Sequence, residues 1–288
     1  MILPRAAESG TDDVSRRLLA VFAPELSPLP GRVVRRELFA SSRRFLDGLS
    51  AVQVPQTVQR NQLPVTFSIP VGRDPRASGP PPIYPSHVLA VSPPPASSRP
   101  TPIDAPVALV TVHGAVIAAN CTNVDLPAPV PQSSDPRFLN LAAYRLTVYS
   151  LPAFVILRLY MYGRRIDTFM DSILPFPPTF LQQFRPNHRT PGHESLRLTG
   201  TANSAPQTRS LAEHLIISTP GGAYPMWERI RLLQGVWQTM CELGMYEPLL
   251  WQALDLAWQV TRYALVVVSE QHGQALAAEA ANNQGRRS

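Results

Sequence analysis

Six histidines (His87, His113, His188, His193, His214 and His272) and two cysteines (Cys121 and Cys241) are the side chains from which a metal centre or nucleophilic site would have to be built. Their spacing does not assemble one. The cysteines have no CxxC or histidine partner nearby. His188 and His193, beside Arg189 and Glu194, follow no zinc-ligand spacing and sit in a proline-rich stretch. Ser210 is not set in a G-x-S-x-G turn, so no nucleophile elbow is predicted. Thr219–Tyr224, "TPGGAY", precedes a helix and offers backbone N–H groups, but it lacks the lysine and hydroxyl of a phosphate loop. It reads as a turn that enters a helix at Pro225. The expectation is a protein with no catalytic residues, no metal and no cofactor.

Charge is the second source of chemistry. The 26 basic residues are all arginine and give a formal net charge of +6. Arginine's planar, permanently charged fork binds phosphate bidentately and stacks on bases, so such a surface suits nucleic acid. Codon bias in a GC-rich genome produces the same composition without any such role. The densest group is Arg32, Arg35, Arg36, Arg43 and Arg44, offset only by Glu37. These five are the candidate nucleic-acid-binding residues, through phosphate contacts that salt would weaken. Phe39 and Phe45 are expected to face inward, which leaves little for base stacking.

Behind these residues, apolar spacing predicts a helix from a Thr11 cap to Phe22, ended by Pro24. A second is predicted from about Val33 to Gly48, with Arg32, Arg36 and Arg43 on one side. "LPVTFSIPV" alternates as a strand, with Pro70 confining it to an edge or an end. Between proline clusters in 78–106 stands "IYPSHVLAV", which reads as an extended docking arm or a long ordered loop. "PVALVTVHGAVIAANCTNV" reads as two strands turning at His113-Gly114, and "AAYRLTVYSLPAFVILRLYMYGRR" as two buried strands broken at Pro152. A short element is expected at 211–217. Pro225 and Pro248 each start a helix of a C-terminal antiparallel hairpin.

The fold class expected is therefore α+β: N-terminal amphipathic helices over 1–52, a central β-rich region over 53–220, and the helical hairpin with a basic tail over 221–288. Proline-rich loops or arms interrupt the centre at 78–106, 126–136 and 175–209. Both cysteines are expected as reduced core thiols. Polar residues directly after the first few predict no signal peptide, and no apolar run reaches the ~18 residues of a membrane span.

In its proline, alanine and serine content, its arginine and its lack of lysine, the chain resembles the proline-alanine-serine-rich proteins of polymycoviruses and other structural proteins of fungal double-stranded RNA viruses. That resemblance is one of composition and length. It implies a non-enzymatic capsid, RNA-coating or capsid-decorating protein of the virion and host cytoplasm. Its partners would be itself, viral RNA and another capsid protein, with no membrane. Ile83, Tyr84, Val88, Leu89, Trp251 and Trp258 are then the candidate self-association residues. The competing expectation is an intracellular scaffold whose proline-rich segments are ligands for partner proteins.

Overall fold

A computed structural model describes residues 13–72, 80–94, 105–184 and 205–285, with the backbone alone at 272 and 275–285. Among the described residues it holds ten helices and five strands, in the α+β class expected. They condense into two units. One comprises Pro4–Arg164 with Gln238–Glu247, and the other Arg165–Trp237 with Pro248–Ser288. The boundaries between the units fall near Arg165 and around 238–247.

In the N-terminal unit, α1 (Arg16–Phe22) starts after Ser15, whose N–H donates to the Ala118 carbonyl at 2.8 Å. The expected cap at Thr11 lies outside the described residues. The single helix expected from Val33 to Gly48 is two, α2 (Gly31–Ala40) and α3 (Ser42–Ser50). The break is at Ser41 (φ −98°, ψ 8°), whose N–H turns back to the Leu38 carbonyl. Adjacent serines compete for backbone hydrogen bonds, which makes this the weakest point of the run.

The sheet has strand order β1-β4-β3-β5-β2, formed by β1 (Thr57–Gln59), β2 (Thr66–Pro70), β3 (His87–Ser92), β4 (Pro106–Val112) and β5 (Phe138–Thr147). β2 is an edge strand that ends on Pro70, as its sequence predicts. β3 runs antiparallel to β4 and parallel to β5. Val88, Ala90, Val107, Leu109, Leu141, Ile69 and Val52 form one continuous apolar cluster on this sheet. The expected arm is corrected here: its apolar part is the central strand, buried from His87 to Val91, because an apolar run hydrogen-bonded on both edges is most stable in mid-sheet.

Two further expected strands are helices. Residues after β4 form α4 (Gly114–Asn120), and Gly114 turns no hairpin: a side chain there would strike the Phe22 ring of α1, which packs on α4. The run after β5 forms α5 (Leu151–Gly163). The Ser150 hydroxyl accepts from the Ala153 N–H, and Pro152 sits in the first turn, where its missing donor costs nothing. A segment apolar on every side has no period, so sequence alone does not separate buried strand from buried helix.

The C-terminal unit is helical: α6 (Ile166–Ile173), α7 (Pro178–Leu181), α8 (Ala205–Ser218), α9 (Ala223–Leu243) and α10 (Pro248–Gly285). The last residues of α9, from Gln238, count with the N-terminal unit. α10 packs mainly on α8 and also on α6. Ala212, Leu211 and Leu215 of α8, and Ala253, Leu254, Ala257 and Ala264 of α10, are buried. Gly244 ends α9 with φ 69°, and a side chain there would strike Thr122 and Asn123.

Candidate functional site

The five arginines of α2 and α3 divide into different environments. Arg35 is buried and holds the N-terminal unit together. It pairs with Asp13, reaches the Asp13 and Ala119 carbonyls at 3.3 Å, and places Nε 3.2 Å from Glu247 Oε2. Arg164, which ends α5 in the left-handed region (φ 48°), donates to the same Glu247 Oε2 at 2.7 Å and to Asn120 Oδ1 at 3.2 Å. Burial works against the Arg164 charge, but Tyr160 and Glu247 outweigh it and hold its pKa above the usual value. Arg44 donates from Nε to the Pro81 carbonyl at 2.9 Å. Arg32, Arg36 and Arg43 stand exposed, Arg36 beside Glu37 at 3.2 Å.

Of the two phenylalanines expected to face inward, Phe45 is buried but Phe39 is 43% exposed, and Leu46 on α3 is also exposed. On one unbroken helix Arg32, Arg36, Phe39, Arg43 and Leu46 would share a face, but the break at Ser41 puts the first three on α2 and the last two on α3. Arg35, Arg164, Asn120, Ser42, Tyr162 and Met161 help line a cavity of about 10 Å³, room for about one water molecule.

Two histidines are bound into the fold. His113, after β4, donates from Nε2 to the Ile83 carbonyl at 2.7 Å, so its Nδ1 accepts from the Tyr162 hydroxyl at 2.9 Å. That hydroxyl also accepts the His113 backbone N–H at 3.0 Å. Burial drives the His113 pKa down to about 4, against the Ile83 hydrogen bond, with Arg158 also lowering it. Burial likewise pushes the Tyr162 phenol up to about 12. His87 donates from Nε2 to the Pro127 carbonyl at 3.0 Å and accepts from Ser86 Oγ at 2.9 Å. Burial lowers its pKa too. Such neutral imidazoles brace two carbonyls and two hydroxyls in place. His188 and His193 lie outside the described residues. Cys121 is buried as expected, its thiol pKa pushed up by burial. Cys241, next to the buried Met240, is exposed instead.

The candidate self-association residues serve their own chain. The Ile83 N–H donates to the Arg44 carbonyl at 3.0 Å, and Gly48 of α3 leaves no room for a side chain beside the Ile83 carbonyl. Tyr84 packs against the sheet cluster, and Val88 and Leu89 are fully buried in β3. The segment expected to embrace a neighbour therefore docks on α3 of the same molecule. Trp251 and Trp258 of α10 are half-buried, and the Trp258 indole N–H is enclosed. The two most exposed aromatic residues among those described are not predicted from the sequence: Tyr224 is 71% and Trp227 51% exposed, one helical turn apart on α9. The signal was present, since Met226, Leu233 and Met240 repeat every seven residues as the buried seam and Trp227 is one step off it.

No curated protein and no solved structure matches the chain. Residues 10–152 match the Clampless protein 1 N-terminal domain, and residues 167–287 match the Clampless protein 1 C-terminal domain. The N-terminal match ends before Arg164 and does not include 238–247, so the compact unit around α1 to α5 takes Glu247 from within the segment matched as C-terminal domain. With both domains present in order and together spanning nearly all of its length, the protein belongs to the Clampless protein 1 family.

Proposed function

We propose that this protein is a non-enzymatic interaction protein, a scaffold that receives partner proteins on exposed aromatic and proline-rich surfaces. The observation that carries this is the pair Tyr224 and Trp227, two large aromatic side chains held out from one turn of α9. Tryptophan and tyrosine dominate the energetic centres of protein interfaces, because they bury much area for little lost conformational freedom. The polar groups that resemble catalytic equipment point the other way. His113, Tyr162, His87, Arg35 and Glu247 spend their hydrogen bonds on their own backbone and on one another.

A photo-crosslinking residue placed at Trp227, with the same residue at exposed Glu270 as the control, tests this. The expected result is a discrete protein partner captured at 227 and not at 270, lost when Tyr224 is also changed to Ala. Equal labelling at both positions sinks the proposal.

A second reading, an RNA-contacting coat protein that self-associates, keeps one observation in its favour. The exposed residues Arg32, Arg36 and Phe39 of α2 and Arg43 of α3 combine phosphate-binding forks with an exposed aromatic ring. It has lost the intersubunit arm that favoured it, since that segment is β3 and its approach to α3. Light scattering after size-exclusion chromatography, with and without double-stranded RNA, separates the two. A salt-sensitive RNA complex supports the second, and a chain indifferent to RNA leaves the first.

A further inference from the structure

The segment Leu126–Pro131, "LPAPVP", crosses the surface of the N-terminal unit with a conformation its sequence nearly dictates. Every residue in it is either a proline or the residue before one. Proline fixes its own φ near −65°, and the ring excludes the residue before it from the helical region. The segment is thus held extended, in the polyproline range, and it lies outside every helix and strand.

Both ends are fastened. At one end Val124 and Leu126 are buried, and His87 Nε2 donates to the Pro127 carbonyl at 3.0 Å. At the other, Asn140 of β5 donates from Nδ2 to the Pro131 carbonyl at 3.1 Å. The Asn140 backbone N–H donates to Gln132 Oε1 at 3.3 Å, and Gln132 Nε2 returns to the Asn140 carbonyl at 3.3 Å. Between these anchors Pro127, Ala128, Pro129 and Pro131 are exposed. The span from Leu126 to Gln132 carries no charge, and its prolines have no N–H to offer a sheet edge. Neither a polyanion nor an added strand fits such a surface. A groove lined by aromatic rings does, because it reads the apolar ridges of an extended proline segment and gains from one already ordered.

We propose that Pro127–Pro131 is a preformed ligand for a partner domain with an aromatic-lined, proline-reading groove. This rests on the scaffold function above and names the chemistry of one of its partners. The fastening is the device: in a free peptide the ordering entropy is lost on binding, whereas here the fold has already ordered it.

The test is to pass the full-length protein over immobilised SH3, WW and EVH1 domains and measure binding by interferometry. Saturable binding to at least one domain is expected, competed by a polyproline peptide. Pro129→Ala and Pro131→Ala should each weaken it about tenfold, roughly 1.4 kcal/mol. Both positions are exposed, and an unchanged near-ultraviolet circular dichroism spectrum verifies that the variants are folded. Trp227→Ala should leave this binding intact. No binding to any domain, or binding that the two proline variants do not weaken, overturns the ligand assignment. The crosslink at Trp227 reports independently, so loss of that capture with retained groove binding would refute the α9 surface and not the Pro127–Pro131 ligand.

Discussion

His113 shows at the scale of one residue how a side chain that looks chemical is made structural. Its ring lies edge-on to Phe45 (4.7 Å between centroids), and its two nitrogens hold the Ile83 carbonyl and the Tyr162 hydroxyl. Folded, it stays neutral down to about pH 4, whereas in the unfolded chain it protonates near 6.5. Between those values the unfolded chain binds more protons, so stability falls as the pH drops from about 6.5 to about 4. The loss from His113 is about 3 kcal/mol, and His87 acts in the same direction. Urea unfolding at pH 7 and pH 4.5 should show the midpoint drop, with a shallower drop in His113→Gln. An unmoved midpoint would refute the buried neutral imidazole. Gly48 makes the same interface from the other side: Gly48→Ala forces α3 and the Ile83 carbonyl apart and should cost about 1–3 kcal/mol in the same assay.

Helix α5 carries the lesson at the scale of elements. Its sequence is β-branched and aromatic enough to read as strand, and the helix it forms is fixed at its ends by the Ser150 cap, Pro152 in the first turn, and Arg164 in the left-handed region. Ser150→Ala should therefore lower stability by about 1 kcal/mol, measured as a shift in the urea midpoint with an unchanged slope. α2 presents Arg32 and Arg36 to solvent, and α3 presents Arg43. If RNA is bound there, Arg32→Ala, Arg36→Ala and Arg43→Ala together should reduce the salt slope of binding by about three phosphate contacts, while Arg35→Ala should act through folding. A salt slope unchanged in the triple variant would place RNA contacts elsewhere.

For the whole molecule, the arrangement of Arg35, Arg164 and Glu247 is the feature with the widest consequence. Two buried or half-buried arginines converge on one carboxylate far along the chain. Removing one partner of such a group leaves charge without compensation, so Glu247→Gln is expected to destabilise the N-terminal unit by about 3 kcal/mol. A chain ending at Arg164 also lacks 238–247 and should show weakened near-ultraviolet dichroism and early protease cleavage. If that fragment is as resistant as the whole protein, the segment adds nothing to the unit.

By itself, the sequence determined what depends on near neighbours. The α+β class, the edge strand ending at Pro70, the turns at Gly221 and Gly244, and the extended course of Leu126–Pro131 all follow from backbone restriction and local period. The tertiary structure alone decided what depends on distant partners. It turned the docking arm into the middle of a sheet, because β3 gains hydrogen bonds from β4 and β5 on both edges. It divided the arginines of α2 and α3 into a buried clamp and exposed side chains, because of those five only Arg35 meets Asp13, Glu247 and the Ala119 carbonyl. It left Tyr224 and Trp227 in solvent, since α10 turns its buried face mainly to α8. Burial and ion pairing are properties of what surrounds a residue in space, and short-range spacing carries no record of partners that far away in the chain.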